Sequence, residues 1–354
     1  MTTALIGALR QEAAFDPTPL PEDLAALHVP FDELLGQERT ERALQLAAEA
    51  VGRIALVGAM GAGKSSVLAY TLTPARGFAA LPISVAPESE QTVTDPARFA
   101  QHVVRVTSTW AAGVEMLAHD ERDELLRAVA DRRILPSRTQ QVRAGIALQL
   151  PWLAKGELAR DIRRELEPAM EVDRSAVEHL QVLRRLTRLI RAIELEPLLV
   201  IDDSDRWLRG GEPRVDLVGA FFGRVVRELA ELEVGFAVAI HEHYLELPEY
   251  RETTPGLLNA RVDVPKLTSE EQLAAILDRR IRAFTGEGGS SDVFDPEALA
   301  RLWQFYRVEA NHSLRKTLQI AHTALTDAAL AEHDHVGAGL IDAAVAAWPP
   351  PHPG

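Results

Sequence analysis

Arg53-Ile-Ala-Leu-Val57-Gly58-Ala-Met-Gly-Ala-Gly63-Lys64-Ser65 is the stretch on which the reading of this chain turns. Arg53 to Val57 is a short apolar run and reads as a buried strand. Glycines then recur at Gly58, Gly61 and Gly63, followed by Lys64 and Ser65, and the pattern from Ser65 to Leu72 continues as helix. Strand, glycine loop and helix together form the context a P-loop requires. Glycines let successive backbone N–H groups point at phosphates, at the positive end of a helix. The binding candidates are therefore Gly58, Ala59, Met60, Gly61, Ala62, Gly63, Lys64, Ser65 and Ser66. Lys64 would reach the β and γ phosphates of a nucleotide, and Ser65 would ligate Mg²⁺.

A second motif supports the first. Leu198-Leu-Val-Ile-Asp202-Asp203 is an apolar run ending in two acids, a Walker B pattern. A strand here carries Asp202 to the carboxyl edge of a sheet, beside the P-loop, where ligands bind in open α/β folds. Asp202 is the candidate to hold Mg²⁺, and Asp203 to orient or deprotonate the attacking water.

The rest of the chain has room for two or three structural units in 354 residues. Residues 1–30, with Pro17, Pro19, Pro21 and Pro30, read as a mostly irregular arm with room for one short helix. A helix follows Gly36, and Leu81 to Val85, Glu233 to Ile240 and Arg261 to Pro265 supply further strands. Strands alternating with helices predict a parallel five-stranded α/β sheet flanked by helices, within residues 31–266. A helical insert spans about 96–195, ending in a helix capped by Ser175 and Glu178. Residues 267–348 are helical throughout and read as a C-terminal lid whose first helix is capped by Thr268 and Glu271, and 349–354 form a tail. A later lid helix is expected over 311–331.

Composition narrows the class. The chain is 47% hydrophobic, carries a net charge of -14 and contains no cysteine. Disulfides and thiolate ligands are therefore ruled out, and a cytoplasmic location is expected. No apolar run is long enough for a membrane span, and bulk charge gives no support to nonspecific nucleic-acid coating. Arg184, Arg185, Arg188 and Arg191 share one helix, and read either as a contact for phosphate or an acidic partner or, the favoured reading, as a solvated face whose stems cover the core.

These motifs, with an all-helical C-terminal unit, resemble the AAA+ ATPases. Pro30 to Gln37 is similar to the family's adenine-contacting segment before the P-loop strand, which makes Gly36 and Gln37 binding candidates. Leu257 to Arg261 resembles the arginine-finger region, with Arg251 a rival to Arg261. Ser313-Leu314-Arg315-Lys316 resembles the sensor-2 helix of the origin-recognition-complex-like branch. Asp202-Asp203-Ser-Asp205-Arg206 is closer to the STAND-type branch. By this resemblance Arg315 would touch the γ-phosphate, Arg261 would enter a neighbouring subunit's site, and His241 would be the polar sensor at the end of the fourth strand. A metal reading of His241-Glu-His243 is disfavoured, since alternation puts Glu242 on the opposite face.

The implied activity is hydrolysis of ATP to ADP and phosphate with Mg²⁺. Many members have Glu where this chain has Asp203, so slow turnover is expected, as in a switch. No pore-loop pattern supports a motor, and a bare ATPase module, without the winged helix or repeats of related families, is expected. The expectation is a homo-oligomerising, ATP-dependent switch that recruits or activates a separate protein, with DNA left open as a partner. Two alternatives stand: an ATP-gated DNA-binding clamp or matchmaker, and an ADP-locked STAND-like signalling switch in bacterial defence.

Overall fold

The computed structural model describes residues 2–19, 21–36, 40–85, 90–112, 176–209, 212–232, 234–254 and 256–348. Gln37, most of the expected insert, its Ser175 cap and the tail lie outside the described residues. The chain divides into two compact units, one of residues 1–45, 56–71 and 262–354, the other of 46–55 and 72–261.

The main sheet contains β1 (Arg53–Gly58), β2 (Phe78–Ser84), β3 (Glu196–Asp202), β6 (Gly235–His241) and β7 (Ala260–Asp263), in the order β2-β3-β6-β1-β7. A short antiparallel pair, β4 (Leu208–Arg209) and β5 (Glu212–Pro213), follows β3. The main sheet is parallel, and β1, β3 and β6 carry unbroken buried runs because both faces are covered. β2 pairs with β3 from Phe78↔Glu196 to Ser84↔Asp202, which sets Ser84 directly beside Asp202. β3 pairs with β6 from Leu198↔Gly235 to Ile201↔Val238. In the sheet order β6 lies between β3, which ends in Asp202, and β1. All seven residues of β6 are buried, which suits this uniformly apolar segment to the centre of the sheet.

The helices before the sheet are α1 (Thr2–Gln11), α2 (Pro21–Leu27), α3 (Phe31–Leu35) and α4 (Thr40–Glu49), and α5 (Lys64–Thr71) follows the P-loop. The arm, expected to be mostly irregular with one short helix, carries two helices, α1 and α2. Its prolines punctuate the helices, and Pro21 opens α2, where a missing N–H costs nothing. Ile6, Leu9, Ala14 and Phe15 are fully buried, and α1 packs on lid helices of the same unit.

In the second unit, α6 (Glu90–Thr94), α7 (Pro96–Ala112) and α8 (Ala176–Ala192) lie between β2 and β3. Between β5 and β7 come α9 (Val215–Ala220), a π-turn at Phe221–Val225, α10 (Val226–Ala230) and α11 (Pro248–Thr253). The C-terminal helices are α12 (Glu270–Thr285), α13 (Pro296–Val308), α14 (Leu314–Leu330) and α15 (Ala338–Ala346). The α12 cap is shifted by one residue from expectation: Ser269 caps, and Gln272 completes the box. Helix α14 starts three residues later than expected because Asn311 and His312 adopt left-handed φ of 49° and 60°, leaving Ser313 as its N-cap. No helix among the described residues is long and apolar enough to cross a membrane.

Candidate functional site

The P-loop occupies the turn from β1 into α5. Gly61 and Gly63 have φ of 74° and 102°, conformations that a side chain would strain. Lys64 is the first residue of α5 and is buried, and its Nζ donates to the carbonyls of Gly58 and Ala59 at 2.9 Å each. The ammonium is thus folded onto the loop it serves. Ala59 is buried, Met60 is exposed, and Ala62, Ser65 and Ser66 are partly exposed.

A lid helix meets this loop within the same unit. The Arg315 amide donates to the Gly61 carbonyl at 3.3 Å. A Cβ on Gly61 would lie 2.4 Å from Ser313 Oγ and 2.9 Å from Arg315 Cβ. Gly61 is therefore required twice, by its own φ and by the start of α14 lying against it. Ser313 was quoted in the sequence only as part of the sensor-2 pattern, yet it is buried and caps α14 through Lys316 N. The Arg315 side chain is exposed.

Gly36 closes α3 in the left-handed region at φ 68°, its amide donating to the Asp32 carbonyl. The segment before it is anchored by a buried pair, His28 Nε2 to Glu41 Oε1 at 2.7 Å. Phe31 N donates to the same Glu41 oxygen at 3.1 Å. Burial pushes the Glu41 carboxyl up, but the hydrogen bonds from His28 and from the Phe31 amide, with the His28 charge, bring it below its ordinary value. The His28 ring lies on Tyr70 of α5 with centroids 4.8 Å apart.

In the other unit, the carboxyl ends of β2, β3 and β6 gather a polar cluster. Asp202 Oδ1 accepts from the Asp203 amide at 2.7 Å. Asp203 has φ 70°, a left-handed conformation that aspartate tolerates better than most residues. Its Oδ2 accepts from Ser84 Oγ at 2.7 Å, so the carboxylate that follows β3 is gripped from the end of β2. Ser84 was missed as a candidate, although its place at the end of an apolar strand was visible. The turn after Asp203 is pinned by Ser204 Oγ on the Ala239 carbonyl at 2.5 Å, Tyr244 Oη on the Ser204 carbonyl at 2.6 Å and Trp207 Nε1 on the Val85 carbonyl at 3.1 Å.

His241 ends β6 and is buried, with Nδ1 accepting from His243 N at 3.2 Å. That acceptor role places the neutral ring's proton on Nε2. Glu242 does not alternate along the strand as expected, because β6 stops at His241 and Glu242 starts a 3₁₀ turn. Arg261, on β7, is exposed near Tyr250: burial raises that phenol to about 12, and the Arg261 charge draws it back. Its rival Arg251 donates through Nε to the Leu245 carbonyl at 2.9 Å. Of the α8 arginines, Arg191 pairs with Glu196 and Arg184 donates to the Glu231 carbonyl, while Arg185 and Arg188 are exposed.

No family model matches the chain, and no curated protein matches it. Solved structures do. The Aeropyrum pernix ORC2 protein in its ADP form superposes with a TM-score of 0.51 at 16% identity, over 95% of this chain and 72% of that one. The same protein in ADPNP-ADP complexes gives 0.49 at 14% identity, over 94% and 71%. The parallel five-stranded sheet, the P-loop after β1 and the C-terminal helices agree with that likeness, and the chain shares the α/β fold of the Aeropyrum pernix ORC2 protein.

Proposed function

We propose that this chain is an ATP-binding and ATP-hydrolysing AAA+ protein that works as a slow, nucleotide-dependent switch, assembling with copies of itself and recruiting or activating a separate protein. The observation that carries the reading is the phosphate loop itself. Left-handed glycines open its backbone, Lys64 is held at its rim by two carbonyls, and the N-terminus of α14 lies on Gly61. The donor chemistry fits a Mg-nucleotide: backbone amides and an ammonium for phosphate, and a hydroxyl and a carboxylate as hard oxygen ligands.

In phosphoryl transfer the protein positions reactants and stabilises charge more than it supplies covalent chemistry. Lys64 would exchange its carbonyl partners for β and γ phosphate oxygens. Ser65 and Asp202 are the residues that would hold Mg²⁺, which neutralises phosphate charge when bound. Asp203 would orient the water whose oxygen attacks the γ-phosphorus as the bond to the bridging oxygen breaks. Arg315 would bring the lid's charge to the γ-phosphate, His241 would sense its loss, and Arg261 would serve a neighbouring subunit. Aspartate at 203 reaches one methylene less far than glutamate, which suits slow turnover.

The test is steady-state ATP hydrolysis at near-physiological salt, with and without duplex DNA, using Lys64→Ala as the blank. Hydrolysis that rises with protein concentration and is indifferent to DNA supports a self-assembling switch. Stimulation by DNA supports the clamp or matchmaker instead. Activity equal to the blank would sink the ATPase reading. Arg261→Ala with unchanged turnover and assembly would remove the shared-site part.

A further inference from the structure

Helix α12 is laced to the N-terminal segment at three levels. Arg280 Nη1 donates to the carbonyls of Ala14 and Asp16, at 3.1 and 2.9 Å. Arg279 Nε donates to the Ala26 carbonyl at 2.8 Å. Gln272 Nε2 donates to the Leu34 carbonyl at 3.1 Å, two residues before Gly36.

Gln272 has two separable tasks. Its Oε1 accepts from Thr268 N at 2.7 Å and Ser269 N at 3.3 Å, which secures the start of α12. Its Nε2 reaches away from α12 to Leu34. One end of the amide serves the lid helix, and the other serves the turn that closes α3.

That turn is also tied to the P-loop side. Glu41 holds His28 and the Phe31 amide, and His28 lies on Tyr70 of α5. Helix α3 spans only Phe31–Leu35, too short to hold its shape without outside contacts. The lid meets the phosphate loop itself where Arg315 N donates to the Gly61 carbonyl. Within this unit the lid thus touches the phosphate loop through α14 and the Gly36 turn through α12.

We propose that Gln272 is a positioning residue that couples nucleotide affinity to the lid: its side-chain amide holds the Leu34 carbonyl and thereby sets the turn at Gly36, in the segment that Glu41 and His28 tie to α5 after the P-loop. This rests on the reading of the P-loop as a nucleotide site. Its bonds go to Thr268, Ser269 and Leu34 and none to the P-loop, so its removal weakens binding and leaves the chemical step alone.

Gln272→Glu separates the two tasks, because it keeps the capping oxygen and replaces the donor with an acceptor facing the Leu34 carbonyl. Fluorescent ADP binding and ATP-dependent turnover should show Kd and KM raised about tenfold, the worth of one hydrogen bond. The same variant should keep kcat within about twofold and Tm within about 2 °C. Gln272→Lys is the converse, a donor without the capping oxygen, and should lose Tm while keeping Kd near wild type. Arg279→Ala should leave Kd unchanged. Gln272→Glu with wild-type Kd and KM, or with kcat reduced at unchanged KM, overturns the proposal. Wild-type protein that binds nucleotide no better than Lys64→Ala overturns the nucleotide reading itself, and the coupling falls with it.

Discussion

Ser84 Oγ donates a 2.7 Å hydrogen bond to Oδ2 of Asp203, tying the last residue of β2 to the carboxylate that follows β3. The contact exists because the parallel register sets Ser84 opposite Asp202, and because Asp203 turns back at φ 70°. A carboxylate oxygen engaged by a hydroxyl is less available to water. Ser84→Ala should therefore raise ATP turnover by about two- to fivefold, on the scale of part of one hydrogen bond, with KM unchanged. Asp203→Asn keeps both the shape and the tolerance of left-handed backbone, and should hold Tm while turnover falls at least about 100-fold. Steady-state kinetics beside thermal melts decide this, and a Ser84→Ala enzyme slower than wild type would make Ser84 an aid to Asp203 rather than a brake.

Gly61 bears two independent constraints, its φ of 74° and the approach of Ser313 Oγ and Arg315 Cβ. Gly61→Ala should cost about 2–3 kcal/mol by denaturant unfolding and abolish nucleotide binding. Adding Ser313→Ala removes one clash but leaves the backbone strain, the Arg315 contact and a lost N-cap, so the double variant should recover little. Full rescue by Ser313→Ala would mean that the backbone term is negligible.

His102 on α7 supplies a pH handle outside the P-loop. Burial, with the nearby Arg105 charge, lowers its pKa to about 4, although the Ser84 carbonyl pulls the other way. Arg105 Nη2 lies 2.8 Å from Nδ1, and Nε2 meets no partner at hydrogen-bond geometry. The folded ring thus stays neutral where the unfolded ring, near its ordinary value of 6.5, takes up a proton. Between these two values the unfolded chain binds more protons, so stability rises with pH across that window and is lost as pH falls through it. Melting from pH 7 to pH 4 should show a loss of up to about 3 kcal/mol that His102→Gln largely removes. An unchanged slope in His102→Gln would assign the acid sensitivity to other groups, with Glu41 the first to examine.

How much was legible in advance depended on how local each feature is. The P-loop could be read from its residues because positive φ at Gly61 and Gly63 is a property of those residues, and the apolar run before them needs only to be buried. The Asp202 strand was legible for the same reason, and so were the C-terminal helices. The α12 cap was misplaced by one residue because Thr268, Ser269, Glu271 and Gln272 offer two overlapping patterns, and only the folded turn selects Ser269 with Gln272. The N-terminal segment was read as mostly irregular because its prolines were local and visible. The surface that Ile6, Leu9 and Phe15 bury lies with helices hundreds of residues away.

By itself, the sequence determined the phosphate loop, the acidic strand end and the class of fold, since each rests on backbone preferences or on hydrophobic runs within a few residues. Only the tertiary structure decided that β6 separates β3 from β1, that Ser84 holds Asp203 across 119 positions, and that Ser313 and Gln272 reach Gly61 and Leu34. Strand order and helix docking minimise exposed apolar area over the whole chain, so which polar ends then meet is set globally and leaves no local mark.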